Sequence, residues 1–290
     1  MILSLDESCP FSLDISLCCG QAFRWNKRGE WWYGIVRGKP FKIRQVEGGL
    51  EFENVDLDFV KAYFGLNDDL PKIFSLICRD KHIKSAIKAL NGLRILRQEP
   101  WECLISYICA TYKNISAIKQ MLQSLSKKFG VNSAFDGYDF YAFPTPERLA
   151  CANISQVKEC GLGYRTEYVL ETAKTVHERE FDFERLRRMP LEGVKKELFG
   201  FKGVGLKVAD CVALFSLGKL GAFPVDIWVR RAILKHYSDC FPKEFVEKIS
   251  KRNQLTNADY EKLNSFGREY FGDYAGYAQE YLYHFERVWS

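Results

Sequence analysis

Apolar and polar positions along the chain follow two different periods. Up to about residue 53, short β-branched and aromatic runs are separated by glycine-bearing turns. Residues 21–25 read as a short strand ending in the Asn26-Lys27-Arg28-Gly29 turn. Residues 30–36 form the next run, and Arg37-Gly38-Lys39 turns the chain into 40–46. Glu47-Gly48-Gly49 turns it again into 50–53. This pattern predicts an antiparallel meander, which can bury one face and wet the other.

From about Asp56 the period becomes helical, and Val60, Tyr63 and Phe64 form an i, i+3, i+4 stripe. Helical patterns continue over 80–90, 99–112, 115–129, 145–151, 164–178, 190–199, 205–217, 226–236, 257–271 and 274–287. Thr145-Pro146-Glu147 is a helix start with proline in the first turn. No internal repeat or low-complexity linker interrupts the chain. The expected fold is α+β: a small N-terminal antiparallel β-sheet domain with flanking helices over residues 1–92, then a larger all-α domain over 93–290.

Composition narrows the class. At 290 residues and 47% apolar, the chain can bury a substantial core and is not a disordered sequence. A net charge of +5 permits nucleic-acid binding without requiring it. No charge block is present, so a polyanion site would be assembled by the fold from scattered residues. The ten cysteines contain no C-x-x-C pair, and the four histidines lie far apart, which argues against a metal centre and against a disulfide framework. The first residues carry acids where a secretory signal needs a basic segment, and no apolar run reaches membrane length. The expectation is an intracellular protein with its cysteines reduced and mostly buried.

The chemistry concentrates in residues 198–231. Gly203-Val204-Gly205 falls between two helical stretches, and its glycines permit a tight hairpin and close approach of another backbone. The amides opening the second helix would point at an anion, for which a DNA phosphate is a natural partner. This is a helix–hairpin–helix pattern, although glycine-x-glycine between helices equally suits a plain turn. Lys207 stands in the first turn of the second helix, where the dipole disfavours a cation and favours a neutral, nucleophilic amine. On position alone it is as readily a surface lysine on a phosphate. Asp226, after Pro224-Val225, is a good N-cap for the next helix. Amide donors there would hold its carboxylate ionised, and a fixed anion beside a sugar carbon stabilises an oxocarbenium-like transition state.

The whole segment resembles the 8-oxoguanine DNA glycosylase/AP lyase family, within the helix–hairpin–helix superfamily. The resemblance extends over nearly the whole chain. Cys19-Gly20-Gln21-Ala22-Phe23-Arg24-Trp25 resembles the family's N-terminal strand, and Leu96-Arg97-Gln98-Glu99-Pro100-Trp101-Glu102-Cys103-Leu104 resembles the opening of its helical domain. Gly161-Leu162-Gly163-Tyr164-Arg165 and Tyr274-Ala275-Gly276-Tyr277-Ala278-Gln279 are further matches. The resemblance implies that Lys207 is the Schiff-base lysine and Asp226 the catalytic aspartate. It implies a base pocket of Gly20, Gln21, Cys211, Gln279 and Tyr283. The Gly20 carbonyl would accept the N7–H that separates 8-oxoguanine from guanine, and Gln279 would read the Watson–Crick edge. Cys211 and Tyr283 would sandwich the base, with tyrosine where the family usually has phenylalanine.

The implied DNA contacts are Tyr112, Asn114, Lys158, Tyr164, Arg165, Gly203, Val204, Gly205 and Trp228. Several depart from the family. Tyr112 stands at the asparagine that enters the gap left by the flipped base, Ala117 and Lys158 at arginines that read an opposite cytosine, and Trp228 at a phosphate-contacting histidine. Tyr164 matches the wedge beside the flipped site. The implied protein is a monomer acting on damaged double-stranded DNA, with no metal, nucleotide cofactor or membrane.

Rival readings are distinguishable. A monofunctional alkylpurine glycosylase normally lacks the lysine. The adenine-mismatch and thymine-glycol branches carry a C-terminal four-cysteine cluster, whereas Cys240 is the only cysteine here after Cys211. A non-catalytic hairpin module would need Gly203–Gly205 but neither Asp226 nor the pocket.

Overall fold

The computed structural model describes residues 1–6 and 8–289. The chain opens with β1 (Ile2–Ser4), α1 (Leu13–Cys18), β2 (Asn26–Arg28), β3 (Trp31–Val36), β4 (Lys39–Val46) and β5 (Gly49–Glu53). The strands form an antiparallel sheet in the order β1-β5-β4-β3-β2. The meander predicted over 30–53 is thus present, with register such as Trp32 opposite Ile43 and Ile43 opposite Phe52.

The strand expected at 21–25 is absent. Those residues are irregular, and the strand falls at Asn26–Arg28, where the turn was expected. The cause lies in Gln21, whose backbone carbonyl and side chain are drawn into the joint with the helices. Its Nε2 donates to the carbonyls of Ser16 (3.0 Å) and Arg94 (2.7 Å), and its Oε1 accepts the Leu96 amide (2.8 Å). The tight turn moves to Gly29, at φ +58°.

Eight helices and a hairpin follow: α2 (Leu57–Tyr63), α3 (Leu70–Ile77), α4 (Lys81–Ala89), α5 (Pro100–Ala110), α6 (Ile115–Phe129), β6 (Asn132–Phe135), β7 (Tyr138–Tyr141), α7 (Pro146–Ala150), α8 (Ile154–Lys158) and α9 (Arg165–Glu178). The rest is α10 (Phe183–Arg188), α11 (Leu191–Leu198), α12 (Leu206–Leu217), α13 (Ile227–His236), α14 (Lys243–Ser250), α15 (Asn257–Phe271) and α16 (Ala275–Trp289). Each predicted helical stretch contains one of these. The pattern does not announce α1, α3, α8, α10 or α14, which are short.

Two hydrophobic cores result. One lies under the sheet, where Leu13, Trp25, Phe41, Ile43, Phe52, Val60 and Phe64 pack together. The larger one fills the helical body and takes in Leu70, Ile73, Ile77, Ile83 and Ala86 from α3 and α4. The apolar helix α5 is buried along almost its whole length within this core.

Candidate active site

Helices α11 and α12 are joined by the glycine hairpin. Gly203 has φ +82°, and an added Cβ would lie 2.5 Å from the Tyr168 ring. Its glycine identity is therefore fixed by backbone conformation and by packing. Gly205 has an ordinary φ of −99°, and a Cβ there would meet nothing within 4 Å. The fold itself does not need a glycine at 205, and the open space leaves room for an outside partner. No side chain caps α12, so its opening amides are unclaimed by this route.

Lys207, half-buried, lies in the first turn of α12, and Cys211 follows one turn later at 3% exposure. Asp226 caps α13 as expected: its Oδ1 accepts the amides of Trp228 (2.9 Å) and Val229 (2.8 Å). Yet burial outweighs these donors. It lifts the Asp226 carboxyl above the ordinary carboxylate range, against the opposing pull of the Lys207 charge and the two amides. The Lys207 and Asp226 charges both act on the Cys211 thiol, which burial pushes well up. Lysine, aspartate and cysteine therefore share one site.

A second set converges from the loop after α1 and the last helix. Gly20, just after α1, has φ +100°, and a Cβ would lie 2.9 Å from an Arg287 nitrogen and 3.1 Å from the Tyr283 hydroxyl. Arg287 donates to Tyr283 Oη (3.3 Å) and to the Cys18 carbonyl (2.9 Å). It also meets Nδ1 of His284 at 2.9 Å. Burial pushes the His284 imidazole down to about 4, so it is the neutral acceptor in this contact. Gln279 is 4% exposed with Oε1 unpartnered. The field of Asp226 reaches Tyr283 and joins the two sets.

Gln21 is not brought into this group as a free side chain, because its amide is spent at the domain joint and its carbonyl accepts from Gln98 (2.7 Å) and Tyr107 (3.2 Å). Arg165 is likewise spent. It is 3% exposed and donates to the carbonyls of Leu162 and Thr111. The buried guanidinium ties the start of α9 to the loop carrying Tyr112.

Val204, between the hairpin glycines, is buried in the helical core, whereas the other expected contacts lie at or near the surface. Tyr112 is 74% exposed with φ +55°, and Tyr164 is 55% exposed under the Arg165 guanidinium at 4.3 Å. Asn114 caps α6 through the Ala117 amide (2.9 Å), and Lys158 ends α8, exposed. Trp228 lies 4.6 Å beneath Arg231. Tyr164 meets Tyr168 edge-on at 5.7 Å, and Tyr168 lies under Gly203. A row of contacts thus runs from the Thr111 carbonyl, next to Tyr112, through Arg165, Tyr164 and Tyr168 to the hairpin.

Sequence reasoning did not single out Glu280, His284 or Arg287. The signal available was charge on the otherwise apolar face of α16. It also did not single out Tyr260 and Asp210, which lie behind the hairpin.

A helix–hairpin–helix with a lysine opening its second helix and an aspartate opening the next defines a base-excision repair protein. The profile described as "HhH-GPD superfamily base excision DNA repair protein" matches residues 105–252, and that of "8-oxoguanine DNA glycosylase, N-terminal domain" matches 2–104. The chain belongs to the 8-oxoguanine DNA glycosylase family of that superfamily. It is 32% identical to an N-glycosylase/DNA lyase of Saccharomyces cerevisiae, over 92% of this chain and 81% of that protein. It is 30% identical to one from Arabidopsis thaliana, over 94% and 76%. Among solved structures it resembles the Clostridium acetobutylicum 8-oxoguanine glycosylase/lyase bound to double-stranded DNA with cytosine opposite 8-oxoguanine. There the TM-score is 0.86 and the identity 30%, covering 99% of this chain and 97% of that one.

Proposed function

We propose that this chain is a bifunctional DNA glycosylase/AP lyase that excises 8-oxoguanine from duplex DNA in base excision repair. The observation that carries the reading is the joint placement of Lys207, Asp226 and Cys211 beside an open glycine hairpin. Phosphates dock on the Gly203–Gly205 backbone and the uncapped start of α12. Tyr164 wedges the duplex, Tyr112 fills the vacated stack, and the lesion turns out at a cost of about a few kcal/mol.

The Gly20 carbonyl takes the N7–H, Gln279 reads the Watson–Crick edge, and Cys211 and Tyr283 cover the two faces. The Lys207 nitrogen bonds to C1′ as the C1′–N9 bond breaks, and the purine leaves with that electron pair. Asp226 stabilises the positive sugar, and its raised proton affinity suits it to take the proton that the amine sheds. Ring opening gives an imine. Removal of a C2′ proton then expels the 3′ phosphate by β-elimination.

Ala117 and the exposed Lys158, together with the occupied Arg165, support a relaxed preference for cytosine opposite the lesion. Single-turnover release opposite each of the four bases measures it. We place the two working units at 1–92 and 93–290, with α3 and α4 of the first packed into the core of the second. The protein acts as a DNA-associated intracellular monomer. No described helix is long and apolar enough to cross a membrane.

The test is single-turnover base release from 8-oxoguanine duplex. The wild type is expected to release the base, and Asp226→Asn to do so at least ~100-fold more slowly. Tight binding by the wild type without base release would instead indicate a non-catalytic binding module.

A further inference from the structure

Helix α16 places Gln279, Glu280, Tyr283 and Arg287 on one side, because residues three, four, seven and eight apart share a helix face. Glu280 is the unexpected member. It is 2% exposed, and its Oε1 has no hydrogen-bond partner. Arg287 attracts it, but the N–H groups of that arginine are directed at Tyr283, Cys18 and His284. The Cys19 thiol, immediately before Gly20, hydrogen-bonds to the carboxyl and also lies 3.3 Å from the Ser16 carbonyl, which leaves Oε1 as the unpartnered oxygen. Beside Glu280, the Oε1 of Gln279 is also buried and unpartnered. Two consecutive residues thus bury acceptors that the fold does not satisfy.

A buried carboxyl with one oxygen unpartnered is a cost to folding, and an apolar side chain of similar volume would pack there more favourably. A return for that cost must come from a group outside the chain. The groups around Glu280 locate that return: Cys19 just after α1, Asp226 from α13, Tyr107 from α5, and Tyr283 and Arg287 from α16. Asp226 and Tyr283 belong to the proposed site, and Gly20, next to Cys19, lies against Tyr283 and Arg287.

We propose that Glu280 is a specificity-determining residue of the lesion pocket, whose unpartnered Oε1 accepts a hydrogen bond from an N–H on the edge of the extruded purine, alongside Gln279. The proposal rests on the glycosylase reading. Burial pushes the Glu280 acid up to about 8. At neutral pH it is therefore a neutral carboxyl that both accepts and donates. Above that pH it becomes an anion beside Asp226, in a pocket the purine must leave carrying an electron pair. Charge of that sign opposes departure, so base release falls as pH rises through about 8.

The experiment compares wild type, Glu280→Gln and Glu280→Leu in single-turnover release from 8-oxoguanine duplex between pH 6 and 9, with thermal melting in parallel. Glu280→Leu is expected to lose roughly tenfold or more of the release rate at pH 7, while melting no lower than the wild type. A merely structural residue would not show that split. Glu280→Gln, which keeps a donor and an acceptor, is expected to retain activity at pH 7 and to lose the decline near pH 8. A folded Glu280→Leu with release within about twofold of wild type overturns the proposal. So does an unaltered decline in Glu280→Gln, and that arm decides alone if the leucine variant does not fold. Absence of release by the wild type defeats the glycosylase reading itself, and the Glu280 assignment with it.

Discussion

The hydroxyl of Tyr260 donates to the carboxylate of Asp210 at 2.7 Å and accepts the amide of Val225 at 3.3 Å. Asp210 lies on α12 one turn from Lys207, and Val225 immediately precedes Asp226. Asn264 reinforces the link, donating to Asp210 at 3.0 Å and to the Phe223 carbonyl at 2.7 Å. Lys195 of α11 pairs with Asp210 at 3.3 Å. One buried network therefore sets the helix of the proposed nucleophile against the segment that carries its carboxylate. Tyr260→Phe removes both bonds and leaves a buried amide and carboxylate short of a partner. It is expected to cost about 1–3 kcal/mol of stability and to slow base release more than it weakens DNA binding. Chemical denaturation and single-turnover kinetics on the same variant check this. Unchanged kinetics in a destabilised variant would show that the network serves folding alone.

The two hairpin glycines are expected to fail differently. Gly203→Ala puts a Cβ into the Tyr168 ring at a left-handed backbone position. It should lower stability by at least ~1 kcal/mol. Gly205→Ala meets nothing within the protein, so melting should stay at the wild-type value while affinity for an abasic-site duplex falls. Fluorescence anisotropy beside thermal melting separates the two, and equal loss of stability in both would contradict the assignment of Gly205 to an outside partner.

Acid should disable the Arg287 cluster. The His284 pKa is depressed to about 4 from an ordinary 6.5 by burial and by the Arg287 charge. A depressed imidazole contributes stability that is present above 6.5 and is lost as pH falls toward 4. Protonation also removes the acceptor that holds Arg287 beside Tyr283. Replacing His284 with glutamine, which carries no titrating ring, should flatten the melting-temperature difference between pH 6.5 and 4. Parallel curves for the two proteins would contradict this.

Periodicity along the chain revealed the meander beyond residue 30 and every long helix; most of these bury one face and leave one face wet, whereas α5 and α12 are buried along almost their whole length. It misplaced the strand at 21–25, since long-range bonds to Gln21 outweigh local β propensity there. It passed over the β6–β7 hairpin, although Asp136 and Gly137, at φ +51° and +76°, form the kind of Asp-Gly turn that announces one. At the site, Lys207 and Asp226 stood out by their places at helix starts, but position alone suits a phosphate-binding lysine equally well, and the family resemblance supplied the proposed roles. Arg165 and Gln21 were legible as motif members, but whether their polar atoms were already spent depends on partners far along the chain. Glu280 carried one local signal, a charge on the otherwise apolar face of α16, but that alone does not tell a buried glutamate from a solvated one.

The central claim is that the nitrogen of Lys207 bonds to the sugar. Borohydride reduction during reaction with 8-oxoguanine duplex should trap the wild type as a covalent protein–DNA adduct on a denaturing gel, and Lys207→Gln should give none while still binding the duplex. A Lys207→Gln protein that cross-links as well as the wild type would contradict it.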